Sequence, residues 1–99
     1  MVTIYKEKIK ELYNQLVGLL NIECVENKAI LEFLNYLKQK EIYFQNASNI
    51  NTIIELKDFL AGVNRFSGEF SFSDSNYNAI RKSINELFDF LNDTVRQNR

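Results

Sequence analysis

The chain has 99 residues, 45% hydrophobic and 25% charged, with a formal net charge of −1 and a pI near 5.4. Such a length and balance suit one globular domain with a single core, and they exclude disorder and a basic nucleic-acid footprint. Proline is absent and only three glycines occur, which favours long helices over a turn-rich β protein.

Ile9, Leu12, Tyr13, Leu16, Leu19 and Leu20 recur at helical spacing and predict a first helix over about residues 3–21. Within it, KEKIKE interleaves Lys6, Lys8 and Lys10 with Glu7 and Glu11, which makes a solvated face with i,i+4 pairing rather than a basic patch. Gly18 costs this helix about 1 kcal/mol against alanine, and marks either close helix packing or simple tolerance. The acidic, β-branched NIECVEN at 21–27 reads as a connection.

Ile30, Phe33, Leu34 and Leu37, broadened by Leu31 and Tyr36, predict a second helix over about 26–43. Lys38 and Lys40 fall in its last turn, where cations complement the helix dipole. QNASN at 45–49 then supplies residues that prefer caps and turns. Ile50, Ile53, Ile54, Leu56, Leu60, Ala61 and Val63 predict a third helix over about 49–67. Gly68 suits the left-handed position just past its end.

The stretch GEFSFSDSNYNAIRKSINELFDFL at 68–91 opens with alternating Phe70 and Phe72, yet no second alternating run exists for a strand to pair with. Helical spacing takes over in Tyr77, Ile80, Ile84, Leu87, Phe88, Leu91 and Val95, predicting a fourth helix over about 74–96. Ser73 as N-cap places Phe72 at N′ and Tyr77 at N4, a hydrophobic staple, with Asp74 in the first turn. The expected fold class is all-α, an antiparallel up-and-down four-helix bundle forming a single domain over 1–99. Phenylalanine and tyrosine, 13% of the chain, are expected to fill much of its core.

The chain contains no histidine, which removes Ser-His-Asp, Cys-His and histidine-based metal sites together. Gly18, Gly62 and Gly68 form no phosphate-cradling loop, and Glu7 with Glu11 reads as a solvated face rather than a metal pair. Cys24 is the only cysteine, so no intramolecular disulfide forms, and Glu23 and Glu26 beside it raise its thiol pKa. No catalytic, cofactor-binding or metal-ligating set emerges, so neither an enzyme nor a cofactor is expected. The charged start lacks an apolar signal region and LVGLL at 16–20 is too short to span a bilayer, so a soluble, cytoplasmic, monomeric protein is expected.

Interaction is the class that remains. Asparagines crowd the second half of the chain, and caps explain them better than a dedicated surface does. The fourth helix buries its apolar stripe and turns Arg81, Lys82, Asn85, Asp89, Asn92 and Arg96 outward. Arg81, Asn85, Asn92, Arg96 and the terminal Arg99 are the candidate partner-binding residues, since polar exposed positions vary freely and arginine is a frequent interface anchor.

The pattern resembles the enterocin A-type immunity proteins for class IIa, pediocin-like bacteriocins. The resemblance begins with ELYNQL, passes through ILEFLNYLKQK and is clearest in NINTIIELKDFLAGVNRFSGEFSFSDSNYNAIRKSINEL. There the family shows a helix of similar length, a short connection, an apolar residue followed by Ser or Thr (here Phe72-Ser73), and a final helix whose core ends with leucine, here Leu87. The resemblance implies a cytosolic four-helix bundle that protects a Gram-positive cell from a pore-forming peptide. Such proteins are thought to act from the cytoplasmic side on the membrane components of the mannose phosphotransferase system once bacteriocin has engaged them, and their specificity lies in the C-terminal half. No family motif assigns individual contact residues. The rival expectation is a small helical adaptor, or a phage- or plasmid-encoded regulator, that binds another cytosolic protein. Direct membrane insertion is not expected, because the helices lack a lysine-rich polar face.

Overall fold

A computed structural model describes residues 5–69 and 74–97, and every regular element among them is a helix. In chain order these are α1 (Lys6–Glu26), α2 (Ile30–Lys38), α3 (Glu41–Gln45), α4 (Ile50–Ser67) and α5 (Asp74–Gln97). The all-α expectation holds. The expected second helix, however, is two.

α1 buries Ile9, Leu12, Tyr13, Leu16 and Leu20, as the spacing predicts. It continues to Glu26, past the expected end at 21, so NIECVEN is mostly helix and not a connection. The core line runs on from Leu20 to Glu23, which is buried, while Cys24 packs against the core edge. Packing on that line overrides the weak helix preference of the β-branched and acidic residues. The helix ends at Asn27, whose backbone turns extended and whose Oδ1 accepts from the Ala29 N–H at 3.2 Å.

α2 buries Ile30, Phe33, Leu34 and Leu37. An unbroken continuation would set Glu41 on the core line one turn past Leu37. Instead the last turn tightens: the N–H of Gln39 bonds Tyr36 O and that of Lys40 bonds Leu37 O, both three residues back. The chain then re-enters as α3, which buries Phe44 and leaves Glu41 at the edge, where its Oε1 accepts from the Tyr13 hydroxyl at 3.1 Å. Phe44 stacks on Tyr13 with ring centroids 4.6 Å apart. A second aromatic group joins α2 to α4, with Tyr36 4.9 Å from Phe66 and 5.2 Å from Phe59.

α4 starts where the asparagine-rich segment predicts: Asn49 is its N-cap and accepts from the Thr52 N–H at 2.9 Å. Its inward line is Ile53, Leu56, Leu60 and Val63, ending on buried Ser67; Ile54 lies outside that line and is exposed. Gly68 is right-handed, with φ −66° and ψ −14°, and not left-handed as expected. Its N–H bonds Arg65 O and that of Glu69 bonds Phe66 O, so a tight helical turn closes α4 without a glycine-specific conformation.

α5 is described from Asp74 and buries Ile80, Ile84, Leu87, Leu91 and Val95. It packs most extensively on α1 and α4, while α2 and α3 each touch α1 and α4. Ser67, the last residue of α4, meets Arg81, and the α4–α5 contacts run to lower numbers on α4 as they rise on α5. Tyr77 therefore lies beyond the end of α4 and is 48% exposed, against the expectation that it is core. Its expected staple partners, Phe72 and Ser73, lie outside the described residues. The buried apolar residues form one continuous cluster in a body of 45 × 21 × 19 Å. Its centre is aliphatic on α5 and aromatic between α1, α2, α3 and α4.

Gly18 is exposed, and a Cβ built there meets nothing within 4 Å, so it marks tolerance rather than close packing. Gly18→Ala should stabilise the protein by about 0.5–1 kcal/mol, read as a raised melting temperature; an unchanged or lowered one contradicts this. Tyr13 makes a second prediction. Burial first, then the charge and hydrogen bond of Glu41, hold its hydroxyl well above the ordinary tyrosine range. The folded state thus keeps this proton more tightly than the unfolded chain. The contribution is fully present below the ordinary tyrosine pKa of about 10 and is lost as pH rises above it toward the folded value. Stability measured by denaturant should fall on the alkaline side, and Tyr13→Phe should flatten that fall. An identical alkaline limb in the variant contradicts the assignment.

Candidate functional site

The candidate residues are placed by the period of α5. Arg81, Asn85, Asn92 and Arg96 stand four, seven and four residues apart, which puts them on one stripe beside the buried line of Ile84 and Val95. Phe88 falls in the same stripe, half-buried. The stripe is therefore the flank of α5 that adjoins α4 and not its outermost face. Lys82, expected alongside, turns to the opposite flank and pairs with Glu86 at 3.8 Å. Arg99 lies outside the described residues.

The four differ in freedom. Arg81 is half-buried and donates from Nη1 to Ser67 Oγ at 2.9 Å, and Ser67 Oγ in turn donates to Asn64 O at 2.6 Å. It is a tether between α5 and the last turn of α4 before it is a free cation. Asn85 is exposed and Asn92 half-buried. Arg96 is exposed and lies 3.7 Å from Asp93, a pair that contributes little in water.

Among the described residues, concave sites border α5 on both flanks, and residue spacing signals neither. Between α4 and α5, Ala61, Asn64, Arg65, Ile84, Asn85 and Phe88 line a cleft of about 270 Å³. The Asn64 Oδ1 is buried and has no hydrogen-bond partner among the described residues. Between α1 and α5, a more open groove of about 460 Å³ is floored by Gly18, Leu19, Ala79 and Ser83 and rimmed by Ile22, Lys82 and Glu86. Ile22 and Val25 are 62% and 80% exposed at that end of α1. Their apolar character is legible in the sequence, but the surface they make exists only because 21–26 is helix rather than a connection. Finding the cleft requires knowing that Asn64 and Asn85 face each other across two helices.

Elsewhere the chemistry is quiet. Among the described residues no group of three or more His, Cys, Asp or Glu could hold a metal ion, and no helix is long and apolar enough to cross a membrane. Burial, reinforced by Glu23 and opposed by Lys38, raises the Cys24 thiol pKa, which keeps it protonated and a poor nucleophile at neutral pH. Several asparagines act locally. Asn49 caps α4, Asn27 accepts from the Ala29 N–H, and Asn46 Nδ2 donates to Ile42 O. No protein-family model, curated protein or solved structure matches the chain.

Proposed function

We propose that this chain is a bacteriocin immunity protein, acting in the cytoplasm of a Gram-positive cell against a pore-forming class IIa peptide. In this reading α2 and α3 together serve as the second rod of an up-and-down four-helix bundle. The protein engages the membrane components of the mannose phosphotransferase system from the cytoplasmic side once bacteriocin is bound there. The sequence resemblance supports this most strongly over α4, the following connection and α5. The observation that carries the reading is the division of labour on α5: one stripe is spent on the core, and the neighbouring one presents Arg81, Asn85, Asn92 and Arg96. A surface of that kind reads a partner while leaving the core untouched.

Making the protein inside a sensitive host should raise tolerance to at least one pediocin-like peptide, whereas adding purified protein outside should not. Asn92→Ala with Arg96→Ala should weaken protection with stability changed by no more than about 0.5 kcal/mol. Lys6→Ala with Lys10→Ala, on the far end of the chain, should leave protection intact. Equal protection from outside would mean direct sequestration of the peptide. No protection across a broad panel would favour a helical adaptor for another cytosolic protein.

A further inference from the structure

We infer that the cleft between α4 and α5 receives a short acidic segment of a partner protein, with one aliphatic side chain seated in the cleft and a neighbouring carboxylate held by Arg65 and Arg81. This names the partner chemistry for the α5 surface and rests on the interaction reading of that surface. The floor is apolar, made by Ala61, Ile84 and Phe88. A volume of about 270 Å³ is ample for one side chain, since an apolar cavity of about 150 Å³ already admits a benzene-sized group.

The polar rim selects the rest. Arg65 lines the cleft, and Arg81 is fixed to the same turn of α4 through Ser67, a bond that uses one of its five guanidinium donors and is its one side-chain hydrogen bond among the described residues. Neither arginine forms an ion pair with any described residue, whereas Lys82 and Arg96 on α5 do. No carboxylate lines the cleft. The buried, unpartnered Asn64 Oδ1 is an acceptor in need of a donor, and the backbone N–H of a bound peptide supplies one. A carboxylate for the arginines, an N–H for Asn64 and an aliphatic group for the floor occur together in a Glu-Leu or Asp-Leu segment.

The stripes also argue against a longer polyanion. Asp58 lies two turns before Arg65 on α4, and Asp89 one turn past Asn85 on α5. Because the helices run in opposite senses, both aspartates fall at the end of the surface away from Arg65 and Arg81, where Arg96 is already paired with Asp93. A nucleic acid or anionic membrane surface would meet repulsion there, whereas a single acidic residue at the arginine end would not.

The test is made on the purified full chain without bacteriocin, so it stands apart from the protection assay. Isotope-labelled protein is titrated with acetyl-Gly-Glu-Leu-Gly-amide and followed by NMR. Shifts should concentrate at Ala61, Arg65 and Asn85 and at the Asn64 side-chain amide protons. The peptide with Gln in place of Glu should bind roughly tenfold more weakly, because it loses the charge-assisted bonds. Arg65→Glu, a change at an exposed position, should lose the Glu peptide and bind the Lys peptide instead, with the melting temperature lowered only by the modest cost of a carboxylate in the last turn of α4. Equal binding of the Glu, Gln and Lys peptides, shifts confined to the α1–α5 groove, or no shifts at roughly 10 mM peptide would each overturn the inference. No protection in cells from a chain that still binds the peptide would overturn the immunity reading and leave the cleft assignment standing.

Discussion

The aliphatic line of α5 meets α1 on one side and α4 on the other, and no other helix packs as extensively on either. Ile80, Ile84, Leu87 and Leu91 are fully buried and Val95 nearly so. Burying each such side chain contributes about 1.5–3 kcal/mol, so the line together supplies on the order of 10 kcal/mol, comparable to the whole net stability of a small domain. The ion pairs on the same helix cannot compete. Lys82 with Glu86 and Arg96 with Asp93 are exposed, and such pairs are worth at most about 1 kcal/mol each. Packing therefore sets where α5 sits, and its polar residues are carried into place by it.

That placement explains the surface. Once Ile84 and Val95 face inward, the residues one step round the helix must adjoin α4, and Arg81 comes within reach of Ser67. The Arg81–Ser67–Asn64 chain of hydrogen bonds then ties α5 to the last turns of α4 beside the cleft. α2 and α3 play a different part. They close the aromatic side of the core through Phe33, Tyr36 and Phe44, and the break at Gln39–Lys40 lets Phe44 stack on Tyr13 while Glu41 stays at the edge.

Much of this was legible in residue spacing. The inward lines of α1, α4 and α5 and the start of α4 at the asparagine-rich segment follow from periodicity and cap chemistry, which are local. What failed was set by tertiary contact. Glu23 carries an acidic side chain on a core line, so the pattern breaks at the point where the helix does not. Ile30 to Leu37 reads on smoothly toward Phe44, and nothing local signals the tightened turn between them. Tyr77 keeps the right spacing yet has no α4 residue opposite it. For the candidate surface, sequence turned Arg81, Asn85, Asn92 and Arg96 outward together with Lys82 and Asp89, without separating the flank beside α4 from the rest. The tether of Arg81 to Ser67 and the unpartnered Asn64 Oδ1 depend on which flank faces α4, which a single helix does not encode.

The claim that α5 organises the molecule is tested most directly by native-state hydrogen exchange. Amides from Ile84 to Leu91 should exchange only through global unfolding, with the same free energy as those at the centres of α1 and α4. The amides of α3 and of the Gln39–Lys40 turn should open at lower free energy, since three-residue-spaced hydrogen bonds hold that turn. Exchange of α5 ahead of α3, with α1 and α4 still protected, would contradict the account.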